Sequence, residues 1–314
     1  LAYLHGVQVV GGSNPLVPTR LLRETTMVSR FFYSRRGGAL MEHSTFLPKP
    51  KWGQNFLIDR TVLAEILDAA ELVPEEAVLE IGPGKGILTE ALILNSSRVF
   101  AIEIDERLSR WLSPLRERYP GRLSLFWGDA CTWDYSTIFR QSPSSLTKIV
   151  ANIPYSITTP LLWALITSGL GSVSRVILLL EKVAMDRLTA PPGTKSRGPL
   201  GIVLETLGGG SVVRHVAGRS FRPVPRTDSV LAVFRTTENL AVATHRDYRK
   251  FLENAFRHRR KTLSRNLRDA GFSQIVVHEA FARIGINKDG MLRAEELSSD
   301  TWLCLYKHLS AIER

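Results

Sequence analysis

The chain has only two cysteines, Cys131 and Cys304, among its 314 residues. That number excludes a disulfide framework, and their separation excludes a cysteine-based metal cluster. No His, Cys and Asp grouping has metal-ligand spacing either, so no metal is expected. Long apolar runs are also missing, and without one no membrane-spanning segment is expected. Acidic residues are scarce beside basic ones. The chain carries 30 Asp and Glu against 41 Lys and Arg, a formal charge of +11. An excess of that size points to a polyanionic partner, either nucleic acid or an anionic membrane surface. No internal repeat is present.

What is present is organised around Val78-Leu79-Glu80-Ile81-Gly82-Pro83-Gly84-Lys85-Gly86-Ile87-Leu88-Thr89. A short apolar run ends in a glycine-rich turn, and an apolar-periodic segment follows. That order reads as strand, tight loop and helix start. Glycines let the backbone turn sharply and let a ligand approach without meeting a Cβ. The dinucleotide pattern G-x-G-x-x-G is not met, because its third position is Ile87. The glycines run Gly82-x-Gly84-x-Gly86 instead, with Glu80 two residues ahead. This resembles motif I of class I methyltransferases, which bind S-adenosylmethionine. The next strand, Val99 to Asp105, places an acid about 20 positions on, where doubly wound folds hold a ribose. Glu103 is the better candidate because it directly follows the apolar run. A helix-capping loop with a solvated acid is the alternative.

Residues 1–47 are rich in Arg, contain Ser and are poor in acids. This composition resembles a mitochondrial or plastid transit segment; an untargeted basic tail is the other reading. The folded part is expected from residue 48. Strands Val78–Ile81, Val99–Asp105, Leu123–Trp127, Lys148–Ala151 and Val176–Leu180 alternate with helices such as Arg60–Glu71 and Glu106–Arg118. The expected fold is α/β, a doubly wound and mostly parallel sheet spanning 48–238. Leu200–Val213 and Ser229–Phe234 supply further strands, or a helix between them. Phe221–Arg226 is expected as an extended loop, since its prolines cannot continue a ladder. Beyond residue 239 only helices are read, giving a small C-terminal all-helical domain.

In such a sheet, ligand groups belong at the carboxyl ends of the strands. Glu80/Gly82, Glu103, Asp129 and Asn152 all lie there. Asn152-Ile153-Pro154-Tyr155 suits methyl transfer to an exocyclic adenine amine. That nitrogen is a poor nucleophile because its lone pair is delocalised into the ring. The Asn152 oxygen and a nearby carbonyl can accept both N–H bonds and turn the lone pair toward the methyl, so positioning supplies most of the rate. Pro154 fixes the loop, and Tyr155 can stack on a base removed from its neighbours. Without this context the same residues would form an ordinary turn. Asp129 could accept the cofactor's adenine amine, or be a surface loop acid. Phe221 could be a second wall for the base, or core.

Arg257-His258-Arg259-Arg260-Lys261 is the densest basic run, with Arg265 and Arg268 beyond it. Arg257, Lys261, Arg265 and Arg268 recur at helical spacing and suit phosphates. Lys195 and Arg197, in the loop Pro191–Pro199, extend that surface. The competing reading is a solvated helix face.

The chain resembles the small-subunit ribosomal RNA adenine N6,N6-dimethyltransferases, class I and Rossmann-like. The motifs that carry this are Gly53-Gln54-Asn55-Phe56-Leu57, Glu80 to Gly86, Glu103-Ile104-Asp105, Gly128-Asp129-Ala130, Asn152 to Tyr155, Arg259 to Leu263 and Arg293 to Leu297. They run in the family's order from about residue 49 to the end. The resemblance implies S-adenosylmethionine as cofactor and dimethylation of two adjacent adenosines in a hairpin loop near the small-subunit rRNA 3′ end. The partners would be that rRNA and the pre-ribosomal small subunit, with the enzyme a monomer; an organellar location is expected from the basic, acid-poor segment 1–47. The resemblance implies that Asn55, Leu57, Gly82, Glu103, Asp129 and Asn152 line the cofactor site, and Gly84, Ile104 and Ala130 fall within the same motifs. Glu181 and Val183 depart from the family's Gln-Lys-Glu-Val-Ala. Two other classes compete. Mitochondrial transcription factors of the B type, or a non-catalytic assembly factor, share the fold. DNA adenine methyltransferases more often carry Asp-Pro-Pro-Tyr.

Overall fold

The computed structural model describes residues 46–49, 52–141, 146–168, 170, 173–236, 240–286 and 291–312. The expectation of a transit segment over 1–47 falls almost wholly outside them. Leu47–Arg314 forms one compact unit, in which the C-terminal helices share their packing with the sheet domain.

Nine strands occur among the described residues: β1 Phe56–Leu57, β2 Ala77–Ile81, β3 Arg98–Glu103, β4 Leu123–Trp127, β5 Leu146–Asn152, β6 Arg175–Glu181, β7 Gly210–Val216, β8 Phe221–Arg222 and β9 Ser229–Arg235. Seven of them form a sheet in the order β4-β3-β2-β5-β6-β9-β7. The first five of these pair in parallel, and β9 and β7 join antiparallel. Strand β2 is buried along its whole length, as a central strand covered on both faces must be. Its continuous apolar pattern therefore reflects position rather than an alternating face. The order reverses between β2 and β5. Open α/β sheets bind ligands in the crevice at that switch.

The helix Arg60–Ala70 starts at Asp59, whose carboxylate accepts the Thr61 and Val62 N–H groups. Ser220 Oγ donates to the same carboxylate at 2.8 Å. That bond ties the start of the domain to β8, a segment far along the chain. Here the expectation of an unpaired loop from Phe221 is corrected. Phe221 and Arg222 pair with Leu57 and Phe56, and the ladder stops where Pro223 begins.

The open reading of Leu200–Val213 resolves into a helix, Pro199–Leu207, followed by β7. Gly198 is extended at the N-cap and Pro199 occupies the first turn, where its missing N–H costs nothing. This helix is the seam of the molecule. Helices Arg246–Ala255 and Ser299–Ile312 pack against it. Behind them the Trp302 ring sits 5.8 Å from both Phe251 and Phe256.

Gly201 lies where the seam helix meets the helix Lys182–Leu188. A Cβ there would come within 2.9 Å of the Leu188 carbonyl oxygen. Gly201→Ala is expected to destabilise the fold by about 1–3 kcal/mol, read as a lower urea midpoint with an unchanged slope.

Candidate active site

Four polar positions emerge from adjacent strand ends. Asp129 follows β4, Glu103 ends β3, Gly82 follows β2 and Asn152 ends β5. Around them lies a cleft of about 290 Å³. Of the residues expected at the site, Asn55, Gly82, Gly84, Glu103, Ile104, Asp129, Ala130, Asn152, Pro154 and Phe221 all line it.

The glycine loop closes the near wall. Gly82, Gly84 and Gly86 have φ of +71°, +59° and +84°, a region that L side chains enter only at a cost. At Gly84 an added Cβ would also come within 3.1 Å of the Phe56 ring. The loop must therefore be glycine to lie this close to the aromatic wall.

Glu103 is buried, and its two oxygens accept the Gly84 N–H at 3.1 Å and the Asp105 N–H at 3.0 Å. Burial pushes its carboxyl above the ordinary value, and those N–H bonds pull against the rise. Each oxygen keeps a further lone pair, which suits the paired hydroxyls of a ribose. Asp105 is held differently. Arg107 makes a two-point contact with it at 2.8 and 2.7 Å, and Gln54 Nε2 donates at 2.9 Å. These bonds hold its carboxyl at about 2. The choice of Glu103 over Asp105 follows from this. Asp105 is committed to Arg107 and Gln54, whereas Glu103 lines the cleft.

Asn152 Nδ2 donates to the Asn55 carbonyl at 3.0 Å. Fixing the nitrogen sets the amide plane and turns the oxygen to the opposite side. The next residue, Ile153, donates its N–H to Leu179 on β6 at 2.9 Å. Pro154 then opens the short turn Tyr155–Ile157. The Tyr155 side chain lies outside the described residues. Asp129 Oδ1 accepts the Cys131 N–H at 2.8 Å, which orients its carboxylate at the far end of the cleft. Phe221 is buried and also part of the cleft wall.

Leu57 has a buried side chain and a backbone paired to Phe221, and it lines an adjoining cavity that shares Phe56, Gly82, Gly84 and Asn152 with the cleft. One expectation needs correction. Arg197 is not a surface cation. Its side chain is 2% exposed, its Nε and Nη1 donate to the carbonyls of Leu297 and Ala190, and Nη2 pairs with Glu205 at 2.7 Å. It staples the Pro191–Pro199 loop to the C-terminal segment. The cationic stripe also changes shape. Residues 256–260 form turns and 261 a bend, and Thr262 caps a new helix, Leu263–Asp269. Arg257, Arg259, Arg260, Lys261 and Arg265 are all exposed. Lys261 and Arg265 share Asp269, each at 3.1 Å. Arg259 donates to the carbonyls of Lys195 and Arg197. Lys195 is exposed beside it.

Sequence reasoning passed over Trp52, Gln54 and Phe56 as site residues, although all three line the cleft. Their signal was the Gly53–Leu57 motif itself. Among the described residues no cluster suits a metal ion, and no helix is long and apolar enough to cross a membrane.

With this geometry in place, the comparisons decide the family. The family model for ribosomal RNA adenine dimethylase matches residues 45–310. The chain belongs to that family. A ribosomal RNA small subunit methyltransferase A from Geobacter metallireducens is 37% identical over 266 residues, covering 83% of this chain and 94% of the relative. Its counterpart from Thermosynechococcus vestitus is 36% identical, covering 85% and 98%. Among solved structures, a dimethyladenosine transferase from Plasmodium falciparum shares the fold with a TM-score of 0.68 at 22% identity, covering 82% of this chain and 98% of that one. A 23S rRNA methyltransferase aligns with a TM-score of 0.60 at 25% identity, covering 82% and 100%. The fold is thus that of the class I methyltransferases, and the cofactor of this family is S-adenosylmethionine.

Glu80 adds a titration that belongs to this family member's own structure. It is buried beneath the glycine loop, and burial pushes its carboxyl up to about 8. The native state then keeps a proton that the unfolded chain releases near 4.5. The contribution of Glu80 to stability is therefore lost as pH rises from about 4.5 through about 8. Glu80→Gln is expected to flatten that part of the curve, by up to about 5 kcal/mol across the window. Chemical denaturation of both proteins at pH 5, 6.5 and 8 measures it, and parallel curves would refute the assignment.

Proposed function

We propose that this chain transfers methyl groups from S-adenosylmethionine to N6 of two adjacent adenosines in a hairpin loop near the 3′ end of small-subunit rRNA. One observation carries this reading. At the switch point of the sheet, Asn152 is oriented by its bond to the Asn55 carbonyl, between a glycine loop and the apolar walls Pro154 and Phe221. Glu103 would hold the cofactor's ribose, and Asp129 its adenine amine. When bound, the cofactor supplies an electrophilic methyl group on a sulfonium. The Asn152 oxygen would accept one N–H of the target amine and direct its lone pair. No strong base is required, because a nitrogen that gains a methyl becomes acidic and sheds its proton readily to water.

The RNA would be held by the exposed cations Arg257, Arg259, Arg260, Lys261, Arg265 and Lys195. Their backbone framework is fixed, since Arg259 also braces the Lys195 loop. The natural substrate would be the pre-ribosomal small subunit, met by a monomer. The basic, acid-poor segment 1–47 supports an organellar site of action. Residues 1–47 fused to a fluorescent protein are expected to reach mitochondria or plastids, and cytosolic signal alone would remove that part of the reading.

The decisive assay is transfer of labelled methyl to undermethylated small-subunit particles, followed by mass spectrometry of the digested RNA. Dimethyladenosine at two neighbouring loop positions is expected from the wild type. Asn152→Ala should lower the rate by roughly a hundredfold or more while still binding cofactor. Cofactor binding without transfer to particles or naked RNA would overturn the enzyme reading for these substrates. It would favour an assembly or transcription factor on the same fold.

A further inference from the structure

The segment that follows β4 closes on itself behind the cleft. Gly128, Asp129 and Ala130 line the cleft, and the chain then leaves it. The Thr132 N–H donates to the Asp129 carbonyl at 3.1 Å, so Asp129–Thr132 is a four-residue turn. Its central peptide joins Ala130 to Cys131. Rotating that peptide through half a turn is what exchanges a type I turn for a type II. Here the peptide is held at both ends. Its N–H donates to Asp129 Oδ1 at 2.8 Å, and its carbonyl accepts the Tyr135 hydroxyl at 2.6 Å. Tyr135 is 1% exposed, and its ring stacks 6.3 Å from Phe139 in the helix Ser136–Gln141. Burial pushes the hydroxyl above its ordinary value, so it stays protonated and donates. Trp133 backs the turn, since a Cβ at Gly128 would come within 2.8 Å of its ring.

We propose that Tyr135 is a positioning residue for cofactor selection. By fixing the Ala130–Cys131 peptide it holds the Asp129 carboxylate toward the adenine amine, and so favours adenine over a base with a carbonyl in that place. The inference rests on the reading above in which Asp129 accepts that amine. A trans peptide carries its carbonyl and its N–H on opposite sides, so a partner for one sets the direction of the other. Rotating the peptide would take the Cys131 N–H away from Asp129. It would also leave the Ala130 carbonyl buried without a partner, which is costly. Tyr135 blocks that rotation from outside the cleft wall. A carboxylate pinned at one oxygen still has lone pairs to offer a ligand. An adenine amine donates to them. A hypoxanthine carbonyl in the same place would set acceptor against acceptor. A buried tyrosine hydroxyl needs some partner; here the partner is the peptide that orients Asp129.

The test reads the affinity of the full chain for S-adenosylhomocysteine and for its inosine counterpart by calorimetry. The wild type is expected to favour the adenine compound by roughly 10- to 100-fold. Tyr135→Phe removes only the hydroxyl oxygen and should cut that preference about tenfold, with urea denaturation confirming the fold. Phe139→Leu loses packing against the Tyr135 ring but keeps the hydroxyl, and should leave the preference within about twofold. Asp129→Asn tests the same peptide with Tyr135 intact. Its amide oxygen stays on the Cys131 N–H and its nitrogen faces the ligand, so the preference should invert toward the inosine compound. A folded Tyr135→Phe that keeps the preference, or weakens both compounds alike, overturns the proposal. Asp129→Asn that loses the preference without inverting it shows a freely turning amide and overturns it too. A wild type with no preference, or one unmoved by Asp129→Asn, removes the adenine assignment of Asp129 and this inference together. Inversion by Asp129→Asn beside an unaffected Tyr135→Phe removes this inference alone.

Discussion

The bond from Asn152 Nδ2 to the Asn55 carbonyl joins the end of a central strand to a segment 97 positions earlier. It is one of three ties made by the short stretch Gly53–Leu57. Gln54 reaches Asp105 beyond the end of β3, and Phe56 and Leu57 pair with β8. One pentapeptide thus spans the carboxyl ends of β5 and β3 and draws Phe221 into the wall. The parallel sheet explains why polar groups gather at its edge. It does not close the edge into a cleft. That closure depends on these backbone and amide bonds, which also decide which way the Asn152 oxygen faces.

Three carboxyl groups close in sequence show how environment separates their roles. Glu80, Glu103 and Asp105 all belong to β2, β3 or the turn that follows. Glu80 is enclosed and rises to about 8, a neutral acid in ordinary conditions. Asp105 is clamped by Arg107 and sits at about 2, a permanent anion whose charge is already matched. Glu103 is raised by burial yet held by two backbone N–H groups at the cleft. It alone combines an acceptor surface with access to a ligand. A carboxylate that orders a loop, one that binds and one that stays protonated are chemically the same group.

The sheet and the row of strand-end residues were legible in sequence because both follow from local rules. A fully buried parallel strand must read as an apolar run, and its ligand groups must follow directly. Glu103, Asp129 and Asn152 were therefore found by position. Three features were not legible. Phe221 and Arg222 form a ladder only because Phe56 and Leu57 arrive from far away, which proline rules cannot foresee. Arg197 reads as one more loop cation, yet its partners are carbonyls of Ala190 and Leu297 and the Glu205 carboxylate. No short-range pattern announces that long-range cage. The basic run was read as one helical stripe, whereas Thr262 begins a separate helix. That signal was in the sequence as an N-cap residue, outweighed there by the spacing of the arginines.

The arrangement also settles how one protein can hold a sulfonium cofactor and a polyanionic RNA together. The charge of +11 is not spread evenly. The acids Glu103 and Asp129 line the cleft. Exposed cations lie on the 256–265 segment and on the rim formed by Lys85 and Arg222, among other places. Screening in water weakens interactions beyond about 8 Å at physiological salt, so an exterior cation does little to repel a cofactor deep in the cleft. A cation on the floor would act at short range and without that screening. The buried basic residue Arg197 obeys the same constraint, since it is paired with Glu205 and turned toward the C-terminal segment rather than the site. The two signs are thus segregated by depth at the same sheet edge.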